Sequence, residues 1–127
     1  PDFGQEKEAL MATRVGQGSA IAPGVWRNIW SGLLNGDDGA AYSGPTLPDK
    51  CIQVTGTFGV GGTVIIEGSN NGTNWNTLVD PQGNALSFTV QGLETLLDNP
   101  FFVRPRVTAG DGTTNLVVTL ISRSGLR

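Results

Sequence analysis

Turn-forming clusters punctuate this chain about every ten residues, and the runs between them alternate in polarity instead of repeating at helical spacing. The clusters are Asn35-Gly-Asp-Asp-Gly39, Gly59-Val-Gly-Gly62, Ser69-Asn-Asn-Gly-Thr-Asn74, Asp80-Pro-Gln-Gly-Asn84 and Asp111-Gly112. Segments this short hold strands and leave little room for packed helices. Composition agrees: 19 glycines among 127 residues, with only 15% charged side chains, suit strands joined by tight turns. A chain of this length forms one domain and can bury a core without a metal or a disulfide.

Val25 to Leu33 alternates Trp26, Asn28 and Trp30 with Val25, Arg27 and Ile29. Lys50 to Phe58 sets Ile52, Val54, Gly56 and Phe58 on one face, and Cys51, Gln53, Thr55 and Thr57 on the other. Thr63 to Gly68 resumes after Gly59 to Gly62, which predicts a hairpin. Trp75–Val79 and Ala85–Val90 are short strand candidates, and Phe101–Ala109 and Asn115–Arg123 are long ones. Asp111-Gly112 predicts a second hairpin between the long pair. Gly92 to Asn99 reads as a corner or a single helical turn. Pro105 has no N–H for a ladder, so its strand is expected at an edge or bulged there.

The expected fold is all-β: an antiparallel β-sandwich, or a jelly-roll-like barrel, of about seven or eight strands over residues 23–127. Residues 1–22 read as an extended N-terminal arm. Asp2 to Glu8 carries four of the nineteen charges, and Gly16, Gln17, Gly18 and Ser19 break any regular pattern. The arm is either a frayed terminus or a segment that orders on a neighbouring subunit.

Candidate chemistry is thin. There is no histidine, so the Ser-His and Cys-His nucleophile pairs are excluded. Asp37 and Asp38 are adjacent and would point to opposite faces of a strand, while Asp80, Glu94, Asp98 and Asp111 sit at turns or corners. No Cys/His set for zinc exists. The Asn35–Gly39 and Ser69–Asn74 clusters lack the acidic spacing of a calcium loop. Gly59 to Gly62 lacks the Lys and Ser/Thr of a phosphate loop, and Asn71-Gly-Thr73 reads as a turn, not a glycosylated site. The expectation is a non-enzyme with no cofactor and no metal.

The net charge is −3 and the eight cations are scattered, which argues against a nucleic-acid partner. No apolar run reaches the length of a membrane span, so no membrane partner is expected. No signal peptide opens the sequence, and Pro1 could follow a removed initiator Met; synthesis in a reducing cytoplasm is expected. Cys51 is alone and reads as a buried free thiol.

The aromatics suggest contact surfaces. Trp75, with Leu78 and Val79, is assigned to the core. Trp26 and Trp30 are divided between core and interface, with a sugar-stacking platform as the other use of three tryptophans. Phe102, Arg104 and Arg106 share one strand face and read as a docking face. Phe3, Leu10 and Met11 are the apolar contacts the arm would offer. The candidate interface is therefore Phe3, Leu10, Met11, Trp26, Trp30, Phe102, Arg104 and Arg106.

Val54-Thr-Gly-Thr-Phe-Gly59 and Ile66-Glu-Gly-Ser-Asn-Asn-Gly-Thr-Asn-Trp75, with Leu78, Asp80-Pro-Gln-Gly-Asn-Ala-Leu86 and the stretch Phe102 to Thr114, resemble a family of small structural proteins of tailed bacteriophage virions. The likeness covers residues 50–123, and the turn ending in Trp75 is its sharpest element. It implies a β-sandwich subunit on the outer surface of the phage capsid, made in the bacterial host cytoplasm. The implied role is a decoration (cement) protein that binds the major capsid protein as a homo-oligomer, a dimer or a trimer. A carbohydrate- or receptor-binding module of a head fibre or tail, or a tail or connector subunit, is the alternative. The resemblance carries no ligand residues.

Overall fold

The computed structural model describes residues 12–42, 44–45 and 47–124. The described residues form eleven strands in two sheets, more strands than the seven or eight expected, because several pairings are only two residues long. The first sheet runs β1 (Thr13–Arg14), β4 (Asp38–Gly39), β10 (Phe102–Ala109), β6 (Thr63–Ser69) and β7 (Asn76–Thr77), with β8 (Ser87–Phe88) also on β6. The second runs β2 (Gly16–Ala22), β3 (Val25–Leu33), β11 (Asn115–Arg123), β5 (Asp49–Thr57) and β9 (Gly92–Thr95). β1 and β4 pair in parallel, and every other named pairing is antiparallel. The molecule is a β-sandwich.

Alternation decides what fills the space between the sheets. Ile52 and Val54 of β5, Leu116, Val118 and Leu120 of β11, and Trp30 and Leu33 of β3 come from the second sheet. They meet Val64 and Ile66 of β6 and Val103 and Val107 of β10. Each such side chain contributes about 1.5–3 kcal/mol by leaving water. The intervening residues of the same strands face outward and are mostly half-buried or exposed, with Glu67 and Ser69 of β6 covered by their neighbours.

Both expected hairpins are corrected. β5 belongs to one sheet and β6 to the other, so Phe58 to Gly62 carries the chain across the sandwich. The same holds for β10 and β11, joined through Gly110 to Thr114. The two arches lie side by side and are tied together. Asp111 accepts the N–H of Val60 at 2.9 Å, and the Thr114 hydroxyl donates to the Phe58 carbonyl at 2.7 Å. A turn sequence specifies that the chain reverses; which sheet receives the next strand depends on the core faces. The true tight hairpin joins β2 to β3 through Pro23-Gly24, with Ala22 opposite Val25.

Three other expectations change. Residues 13–14 and 16–22 of the expected arm are strands, one in each sheet. Gly92 to Thr95 is a short edge strand on β5, with Leu96 turned into the core. Pro105 lies on an interior strand, away from the bulge at Val107–Ala109. The N–H groups of Val103 and Val107 reach the carbonyls of Tyr42 and Asp37 at 3.3 and 2.8 Å, so the missing donor of Pro105 faces that same side. There the ladder is only two residues long, and a Cβ on Gly39 would sit 2.6 Å from the Pro105 ring.

Candidate interaction surface

Arg104 and Arg106 point outward from β10 beside the carboxylate of Glu67 on β6. Register sets this arrangement, since Arg104 lies opposite Glu67 and Arg106 opposite Ile65. Arg104 Nε is 3.1 Å and Arg106 Nε 3.2 Å from Glu67 Oε1, and Glu67 is only 5% exposed. Arg104 also reaches Asp38 at 3.5 Å. Its guanidinium lies 4.0 Å over the Trp75 ring, a cation–π contact. Phe102 follows, 6.4 Å from Trp75 and edge-on to Phe101 at 4.7 Å. The result is an ordered patch of two cations, two carboxylates and three aromatics on one outer face.

The expected docking trio of Phe102, Arg104 and Arg106 is thus found together. Trp75, Phe101, Glu67 and Asp38 join it unforeseen. Trp75 is not a core residue: it lies three positions from Leu78, and an odd offset in extended chain puts the two on opposite faces. Trp30 is fully buried, with its Nε1 donating to the Ala40 carbonyl at 2.9 Å, so it belongs to the core and not to an interface. Trp26 packs partly buried against the core. Phe3, Leu10 and Met11 lie outside the described residues. Cys51 is half-buried on the outer face of its sheet; burial pushes its thiol pKa up, against the opposing pull of Arg123.

A second feature lies at the seam between the sheets. Gly16 and Gly18 of β2 stand opposite Trp30 and Asn28, on the inward side of the strand. Lacking side chains, they leave an open groove of about 300 Å³, with Trp26 and Asn28 at its base and Ala40 to Tyr42 along the far wall. Asn28 is 7% exposed and lines this groove. The indole Nε1 of Trp26 is buried without a hydrogen-bond partner among the described residues.

Ser122 Oγ is likewise buried without a partner among the described residues, while several other polar groups hold structural roles. Asp37, fully buried, accepts from Ala12 N, Leu34 N and Arg14 Nε. Lys50, 2% exposed, donates to the Leu47 carbonyl at 2.7 Å and to Asn99 Oδ1, and burial lowers its pKa. Asn71 Oδ1 accepts the N–H groups of Thr73 and Asn74, closing that turn. Asp80 does the same for Gln82 and Asn84, and the Asn84 N–H leads in holding its pKa down. Among the described residues no group of three His, Cys, Asp or Glu is placed to hold a metal ion.

The arrangement offers contact and recognition: a charged aromatic face, an open seam and an exposed edge strand. Comparison with models of known protein families, with characterised proteins and with solved structures finds no match to this chain.

Proposed function

We propose that this chain is a structural component of a tailed-bacteriophage particle. It acts as a capsid decoration (cement) protein that binds, as a homo-oligomer, across neighbouring major capsid protein subunits. The observation that carries the reading is the edge strand β2. Its seven residues, Gly-Gln-Gly-Ser-Ala-Ile-Ala, are mostly exposed and contain no charge and no proline. Free-standing β proteins blunt such edges with Lys, Pro or a cover. A subunit that spends its life against other subunits has no need to. The outer face of the same sheet adds half-buried Ile29, Val117, Thr119 and Ile121, a surface suited to packing. The likeness of residues 50–123 to small virion proteins supports the same reading.

Cryo-electron microscopy of the particle whose genome encodes this chain is the test. Sandwich-shaped density on the outside of the head, bridging capsid subunits, is expected. Density confined to the tail, or none, overturns the capsid assignment.

A carbohydrate- or receptor-binding module is the second reading. It is favoured by an open cleft of about 490 Å³ lined by Asn70, Asn71, Asn74, Asn76 and Asp98, whose amides and carboxylate suit hydroxyl groups. Trp75 lies beneath Arg104 and Trp30 is buried, which leaves no exposed three-tryptophan platform for sugar rings. Glycan-array binding that is lost on Asn74→Ala would turn the assignment to this reading.

A further inference from the structure

We propose that Lys50 and Asn99 join in an intramolecular isopeptide bond, a covalent staple between the start of β5 and the segment that leads into β10. This concerns the chain's own chemistry and stands apart from the capsid reading.

Three observations place the two side chains for it. First, the main chain brings them together: the Leu96 N–H donates to the Lys50 carbonyl at 3.1 Å, which sets the segment after β9 beside the start of β5. Second, Lys50 Nζ donates to Asn99 Oδ1. The carbon Cγ lies one C=O bond, about 1.2 Å, from that oxygen, so a small rotation of the carboxamide presents it to the amine. Holding the two groups in contact removes the entropy cost of their encounter. Third, the amine is buried among neutral groups. Lys50 is 2% exposed, its other acceptor is the Leu47 carbonyl at 2.7 Å, and its cross-strand neighbour on β11 is the fully buried Ser122. An ammonium there has lost water and gained only neutral dipoles, and this burial favours the free amine, which is the nucleophilic form.

The reaction balances without a co-reactant. Lys50 enters as the free amine, its first proton having passed to water. The Nζ lone pair attacks Asn99 Cγ and a C–N bond forms. The Cγ–Nδ2 bond breaks, one proton moves from Nζ to Nδ2, and ammonia leaves. Asn99 is exposed, so ammonia has a path to solvent and water can carry the proton. The product keeps one N–H on Nζ, and that donor retains the Leu47 carbonyl. The buried charge is gone, and its desolvation cost with it.

Such a link closes the chain from residue 50 to residue 99, a constraint on the unfolded state like that of a disulfide. With one cysteine the chain cannot form an internal disulfide. The amide supplies the same constraint and is indifferent to reductant.

The test is the intact mass of the full chain, purified and denatured. The expected value lies about 17 Da below the mass of the sequence, the loss of one ammonia. Trypsin should fail to cut after Lys50 and should release one branched peptide that joins the Lys50 and Asn99 segments. The loss should vanish in Lys50→Arg and in Asn99→Ala. Asn99→Ala changes an exposed side chain, so it decides the matter if Lys50→Arg does not fold. A parent mass equal to that of the sequence would reduce the contact to a hydrogen bond and overturns the proposal. A loss of the same size that survives in Asn99→Ala also overturns it, because the ammonia would then come from a succinimide, as at Asn35-Gly36 or Asn71-Gly72. None of these masses depends on what the chain binds, so this inference and the capsid reading can fail independently.

Discussion

Arg14 and the fully buried Asp37 are joined at 2.7 Å, and this pair fixes where the chain enters the sandwich. Asp37 also accepts the main-chain N–H groups of Ala12 and Leu34, both at 2.9 Å. Asp37→Ala should lower stability by about 3–5 kcal/mol, since it strands an arginine and two amides. Arg14→Ala should lower it by a smaller amount, about 1–3 kcal/mol, because the two amides still satisfy the carboxylate. Urea unfolding followed by tryptophan fluorescence measures both, and equal losses would refute this ranking.

Arg104 couples the Glu67 carboxylate to the Trp75 ring. A double-mutant cycle with Arg104→Ala and Trp75→Leu should give a coupling of about 0.5–2 kcal/mol. The partly screened position of Arg104, with 22% of its side chain exposed, keeps the value modest. A coupling of zero would show that the stacking adds nothing beyond packing.

Asp111 should make the two arches sensitive to acid. Hydrogen bonds from the Thr113 side chain and from the main chain of Val60 and Thr113 hold its pKa down to about 2. A carboxylate depressed in the folded state stabilises it above the ordinary pKa and loses that contribution as pH falls through the folded value. The melting temperature should therefore drop between about pH 4 and pH 2. In Asp111→Asn that drop should be shallower, and an unchanged slope would remove Asp111 as its source.

Gly56 sits within β5 at φ +109°, and a Cβ there would lie 2.5 Å from the Asn115 carbonyl oxygen on β11. Gly56→Ala should destabilise by more than about 1 kcal/mol and speed amide exchange along the β5–β11 ladder. Exchange rates like those of the parent would show that the ladder tolerates the extra atom.

Cys51 should react slowly with a thiol reagent at pH 7, since burial reduces its thiolate fraction. The rate should rise as pH climbs past 9 while the fold persists. Rapid labelling at neutral pH would contradict the assigned burial.

Much of the sandwich was legible from alternation. Val25–Leu33 and Asn115–Arg123 are strands over the same residues that the pattern gives, and the Lys50 and Thr63 runs differ by a single residue at their ends. The sheet each strand joins was not legible, because a five-residue link between strands reads alike whether it makes a hairpin or an arch. β2 was not legible either: Gly-Gln-Gly-Ser has no alternation, and the strand exists through main-chain pairing with β3. On the surface, Phe102, Arg104 and Arg106 followed from their shared face. Glu67 and Trp75 did not, since their meeting depends on the register between β10, β6 and the turn after β6.

β11 lies between β3 and β5, and it follows both in sequence. During synthesis the two early strands therefore wait, with bonding edges bare, until some sixty residues after Thr57 have been added. Assembly of that sheet is a late, long-range event, and such topologies fold slowly and expose sticky intermediates. A chain interrupted before Asn115 would keep the crossing from β5 to β6 and lose its central strand. It would leave the ribosome as an aggregation hazard rather than as a weaker version of the same protein.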